Sequence, residues 1–152
     1  MSSHGLEGLE RTVQLTHIWI NELDRRLEWN DKPRSYRLLK AVLHALRDSL
    51  QINEAADLGA QLPALLRGAY YEHWKPAATP IKFHGVAGFV ERVNNDFKRD
   101  PLPDPAMATM AVFQLLTKKV TEGEIEDVRQ CLPPEIRNIW PDPYKAPGAL
   151  RH

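Results

Sequence analysis

Residues 17–27, HIWINELDRRL, and residues 87–97, AGFVERVNNDF, decide the fold. Laid on each other at an offset of 70, Trp19 meets Phe89, Ile20 meets Val90, Leu23 meets Val93 and Leu27 meets Phe97. Apolar residues three and four apart mark one face of a helix, so both stretches read as helices carrying the same buried stripe. The match extends from 17–76 onto 87–146 without a gap. Val42 falls on Val112, Leu43 on Phe113, Leu46 on Leu116, Leu50 on Val120, Leu58 on Val128, Leu62 on Leu132 and Leu66 on Ile136. Polar positions coincide too: Glu54 with Glu124, Asp57 with Asp127, and Arg67 with Arg137. A repeat of this length is one supersecondary unit used twice. One such unit alone would bury only a marginal core. The predicted fold is therefore all-α, with two tandem helical repeats of about 70 residues packed as one pseudo-twofold domain.

Outward from these stripes, the first repeat reads as helices near 12–29, 34–50, 54–61 and 63–74. Asp31, Lys32 and Pro33 break the first from the second. Asn53 is placed to cap the third, and Pro63 suits the first turn of the fourth. In the second repeat, DPLPDP at 100–105 is the break, and Thr121 with Glu124 spells a capping box. The expected domain covers 12–142, as repeat one (about 12–76) and repeat two (about 82–142). Residues 1–11 and 143–152 are expected as loosely held tails.

Composition bounds the function. Twenty basic and twenty acidic residues cancel, and each half of the chain is neutral by itself. Nucleic-acid affinity comes largely from neutralised phosphates, so neutrality argues against that partner. One cysteine, Cys131, excludes an intramolecular disulfide and a cysteine-rich zinc site. The most apolar window, Met107 to Leu116, is too short to span a bilayer. No secretory signal is read at the N-terminus. The expectation is a cytoplasmic protein with no membrane contact.

Three longer motifs carry a family resemblance. They are LHALRDSL at 43–50, LGAQLP at 58–63 followed by RGAYYEHW at 67–74, and GEIEDVR at 123–129 with Leu132-Pro133 and Ile139-Trp140-Pro141. Together they resemble the bacterial family catalogued as domain of unknown function 2267, across roughly residues 12–142. The resemblance implies a small all-helical prokaryotic protein and supplies no activity. It also leads one to expect glycine where this chain has His73.

The duplication sorts the candidate sites. Asp57 with Arg67, and Asp127 with Arg137, recur at the same offset and are expected as structural ion pairs. Tyr70, Tyr71, His73 and Trp74 occur only in the first copy. Aromatic groups with polar tips anchor interfaces, so these four are the expected partner-binding surface. Arg37, Lys40, His44 and Arg47 form a basic stripe on the second helix, where the second copy has Met107, Met110, Gln114 and Thr117. The stripe is the alternative site, for a nucleic acid or an anionic ligand. No zincin, phosphate-loop or nucleophile-elbow motif is present. Glu122, Glu124, Glu126 and Asp127 suit a helix N-terminus. His17, His44, His73 and His84 lack ligand spacing, and Cys131 reads as a semi-buried small residue. No catalytic residue, metal site or cofactor is assigned. A deep pocket joining Arg47, Asp48 and His73 with displaced pKa values would be the sign of an enzyme. The expected function is a non-enzymatic helical module that binds another protein, still unidentified, or a second copy of itself.

Overall fold

A computed structural model describes residues 3–142. Among these residues every regular element is helical, and no strand occurs. The helices are α1 (Ser3–Leu27), α2 (Lys32–Ser49), α3 (Ile52–Ala60), α4 (Ala64–Tyr71), α5 (Gly85–Asn94), α6 (Pro105–Lys119), α7 (Glu122–Cys131) and α8 (Pro134–Asn138). Single 3-10 turns lie at Pro76–Ala78 and Asn95–Phe97. The tail expected at 143–152 lies outside the described residues.

Helix α1 starts at Ser3, not near residue 12. The reason is readable afterwards. Leu6, Leu9 and Val13 keep the three-and-four spacing of Thr16, Ile20, Leu23 and Leu27, so the helical period runs on toward the N-terminus. Only the later half of that stripe is buried.

Helices α2 and α6 begin alike. Asp31 Oδ1 accepts from Arg34 N and Asp104 Oδ1 from Met107 N, each at 3.1 Å, with a proline in each first turn. Buried Asp24 ties α1 to α2 by accepting from Asp31 N at 3.0 Å and the Ser35 hydroxyl at 2.7 Å. Two expected caps are not made. Asn53 lies inside α3, whose cap is Gln51, and Thr121 caps α7 without a side-chain bond. Gln61 satisfies the Thr121 amide instead, at 3.2 Å, and Glu124 turns toward Glu54.

Helices α1 and α5 both pack on α2 and α6, α2 packs on α6, and α3 packs on α7. Leu23, Leu38, Leu43, Leu46, Phe89, Phe97 and Phe113 are fully buried in this interior. Each such side chain contributes roughly 1.5–3 kcal/mol on leaving water. Phe113 stacks on Trp140 with ring centres 4.3 Å apart, which closes the end of the core beside α8. No helix among the described residues is long and apolar enough to cross a membrane.

Candidate anion-binding groove

The aromatic run divides between core and surface. Tyr70 is fully buried, and its hydroxyl donates to Ala55 O at 2.7 Å. It therefore cannot serve the partner surface expected of it. Burial pushes its phenol well above the usual range. Tyr71 and Trp74 are half-buried and pack ring to ring at 5.3 Å. Tyr71 also lies over Gly59, where an added Cβ would stand 2.5 Å from the Tyr71 hydroxyl. Glu72 and His73 are exposed.

Helix α4 ends at Tyr71, three residues short of the expected boundary: Glu72 leaves the helix with ψ 131°, and His73 follows in a left-handed backbone, φ +62°. An L residue there costs about 1–2 kcal/mol that glycine avoids. This is the position where the family resemblance leads one to expect glycine. His73→Gly is expected to raise stability by about 0.5–1 kcal/mol in urea denaturation, since glycine's greater freedom when unfolded offsets part of the gain.

The basic stripe splits into an inner and an outer half. Arg47 is buried. Its Nε donates to Asp48 Oδ1 at 2.9 Å, and its Nη1 donates to Tyr70 O at 2.6 Å and Glu72 O at 2.8 Å. His44 Nε2 donates to Ala69 O at 2.7 Å. Both therefore close the C-terminal carbonyls of α4, where a helix has no acceptor partners of its own. Burial lowers the His44 pKa, which keeps the imidazole neutral at pH 7. Arg37 and Lys40 form the outer half. Arg37 Nη2 bonds Asp100 Oδ2 at 2.5 Å, beside Arg34, which bonds the same carboxylate. Arg37 first, then Arg34, holds the Asp100 carboxyl below its ordinary range. Lys40 Nζ lies over the Tyr36 ring at 4.8 Å.

The stripe forms one wall of a groove of about 690 Å³. The opposite walls bring His73 and Lys75 from the exit of α4, Arg92 from α5, and Asp96 from the 3-10 turn that follows it. Arg92 is 3.6 Å from Asp48 and 4.0 Å from Asp96, both too long for hydrogen bonds. The groove does join Arg47, Asp48 and His73. Arg47 is held by Asp48 and two backbone carbonyls, and the Asp48 carboxylate is paired with Arg47 and Arg92, so both are engaged in structural contacts. Lys75 and Arg92 were not singled out from the sequence. They belong to the connector and to the second half, and no local spacing links them to α2.

The expected ion pairs do not form. Arg67 donates to the carbonyls of Gly59 (2.8 Å), Ala60 (3.3 Å) and Leu62 (2.9 Å), capping α3. Arg137 reaches only Leu132 O, at 3.3 Å. A guanidinium within reach of bare helix-end carbonyls satisfies several acceptors at once. Asp57 instead joins Glu54 and Glu124, with oxygens of all three within 4.8 Å. Cys131 is exposed rather than semi-buried, on the rim of a second cavity shared with Glu54 and Asp57. Residual desolvation first, then the nearby carboxylates, pushes its thiol pKa up, away from a reactive thiolate.

Desolvation, then the facing Glu54 carboxyl, pushes Glu124 up to about 8. The folded state thus holds a proton that the unfolded chain releases near pH 4.5. The contribution of this group to stability is then largest at low pH, falls as pH rises from that value through about 8, and levels off above. Glu124→Gln removes this loss. The variant is expected to match wild type below pH 4.5 and to exceed it increasingly up to pH 8–9. Because the group is partly exposed, the gain is about 1–2 kcal/mol. Thermal melts from pH 4 to 9 check this, and parallel profiles would refute it.

No curated protein matches the chain significantly. A family model does, across residues 16–139, and its description is an uncharacterized conserved protein (DUF2267). That span covers all helices from the buried half of α1 through α8, including every wall of the groove, so the chain belongs to the family of uncharacterized conserved proteins of domain of unknown function 2267.

Proposed function

We propose that the protein binds a small anionic ligand in the groove between α2, the exit of α4, and α5. The observation that carries this reading is the gathering of Arg37, Lys40, Arg47, Lys75 and Arg92 from three separate elements around one concavity. Three carboxylates, Asp48, Glu72 and Asp96, share it, which leaves a net positive site in a neutral chain. Ligand sites of a few hundred Å³ are usual for small molecules. The single thiol fits a reducing compartment, and a cytoplasmic setting goes with this reading.

The proposal includes two copies of one unit, related by a pseudo-twofold axis. Helix starts 52 and 122, and 64 and 134, differ by 70, as do the α2 and α6 ends, Ser49 and Lys119. Exchanging α1 with α5 and α2 with α6 maps the main packing pairs onto one another. Other boundaries depart from that offset: the start of α6 falls 73 residues after that of α2, through a longer connector, and α5 is much shorter than α1. On this reading the groove has a counterpart beside Arg26, Met110, Gln114 and Thr117, a cavity of about 390 Å³. There Met110, Gln114 and Thr117 stand for Lys40, His44 and Arg47. His44 and Arg47 serve α4, but Lys40 holds no acceptor and its counterpart Met110 is uncharged, which supports a ligand as the reason for that charge.

Titration of isotope-labelled protein with inorganic phosphate and pyrophosphate tests the proposal by amide shifts. Saturable shifts around the groove are expected, weakened by salt and at least about tenfold by Lys40→Ala with Arg92→Ala. Absence of saturable binding by both anions and by organic phosphate monoesters would refute it.

A second reading, self-association, rests on α1. Leu6, Leu9 and Val13 continue the core stripe with 50%, 61% and 42% exposure. Light scattering on wild type and Leu9→Lys separates the readings. A monomer in both excludes self-association.

A further inference from the structure

We infer that the ligand of this groove is a phosphorylated polyol, a sugar-phosphate type of molecule, rather than a bare anion, a nucleotide or an acyl anion. The inference rests on the groove reading and names its ligand class.

The first argument is which donors remain. Arg47 has its Nε and Nη1 fixed by Asp48 and two carbonyls. Arg37 is bonded to Asp100. Lys40 touches only a ring face, and no hydrogen bond or ion pair among the described residues engages the Lys75 ammonium. Arg92 is ion-paired with Asp48 and Asp96 at 3.6 and 4.0 Å but donates a hydrogen bond to neither. Two ammonium groups and a guanidinium thus face the groove from α2, the connector and α5. A tetrahedral dianion with several acceptor oxygens satisfies such converging donors better than a planar carboxylate does.

The second argument is the carboxylates that remain. Glu72 and Asp96 line the same groove. Toward a bare anion they only repel. A carboxylate is an acceptor alone, so these two groups favour a ligand that also brings donors. Vicinal hydroxyls supply them without adding a cation that would compete with Lys40 and Lys75. The third argument is the character of the walls. Among the described lining residues, only Ala78 and Ile81 are apolar, and no Phe, Tyr or Trp is present. A nucleobase would find only the small imidazole of His73 or a guanidinium plane to stack on, and an acyl chain only Ala78 and Ile81 beside side-chain stems.

The experiment is calorimetry on the full chain with ribose 5-phosphate, glucose 6-phosphate, the two free sugars, inorganic phosphate and ATP. Both sugar phosphates are expected to bind about tenfold or more tightly than inorganic phosphate, with the free sugars below detection. Glu72→Gln with Asp96→Asn is expected to bring the sugar phosphates down to the phosphate level while leaving phosphate binding intact or stronger. Both side chains are exposed, so the variant stays folded, and its circular dichroism melt verifies that. Sugar phosphates no better than phosphate, or unaffected by the double variant, would overturn this inference and leave the anion groove standing. A clear preference for ATP over ribose 5-phosphate would also overturn it. Binding of no probe at all would end both readings.

Discussion

Arg47→Ala is expected to cost about 3–5 kcal/mol of folding stability, the largest effect of any single polar substitution in the domain. Arg47 is only 2% exposed and serves three acceptors. Without it, buried Asp48 keeps only Arg92, 3.6 Å away. Tyr70 O and Glu72 O lose their shared donor, and an abandoned buried acceptor costs about 1–3 kcal/mol. Arg47→Lys should recover only part of the loss, because one ammonium cannot match the geometry of a carboxylate and two carbonyls together. Arg47→Met with Asp48→Leu should be less damaging than Arg47→Ala alone, since it removes both charges rather than stranding one. Urea denaturation followed by far-ultraviolet dichroism compares the three. A loss below about 1 kcal/mol for Arg47→Ala would show that water replaces the guanidinium at low cost.

Gly59→Ala is expected to cost about 1–3 kcal/mol, although alanine is the better helix former by about 1 kcal/mol. The added methyl would stand 2.5 Å from the Tyr71 hydroxyl, 2.9 Å from its Cζ and 3.0 Å from Tyr70 Cε2. Tyr71 is half-buried and can swing outward. Tyr70 cannot move, because its ring is enclosed and its hydroxyl is held by Ala55 O. Adding Tyr71→Ala to Gly59→Ala should therefore cost less than the two single losses summed, because the second change removes the clash made by the first. A Gly59→Ala variant more stable than wild type would mean that the Tyr71 ring does not rest on α3.

The helices were legible because their information is local. The spacing of Trp19, Leu23 and Leu27 repeats every turn, and Asp31-Lys-Pro marks a start wherever it occurs. The early start of α1 was also written in the sequence. Gly5 and Gly8 interrupt the stretch, however, and three exposed apolar residues suggest no core for it to face. The groove was legible only on its α2 side. Arg37, Lys40, His44 and Arg47 share a face by spacing alone. Which of them points outward depends on α4 ending opposite Arg47 and His44, and that follows from tertiary packing. Arg67 misled for a related reason. A recurring Asp and Arg suggest each other, yet the carbonyls of a helix end compete for the guanidinium and leave no trace in side-chain spacing.

The contact of Glu54 with Glu124 has a consequence for ancestry. On the two-copy reading these residues occupy one position in each copy, and they meet across the axis. A residue on such an axis faces its own twin, so before duplication the same gene product would have met itself there as a dimer. One codon then wrote both sides, and a carboxylate could be opposed only by a carboxylate. Fusion of the copies frees each side to change alone. On that reading neither has changed, and the carboxyl of Glu124, pushed up beside Glu54, would be the mark of a symmetry the chain no longer has to obey.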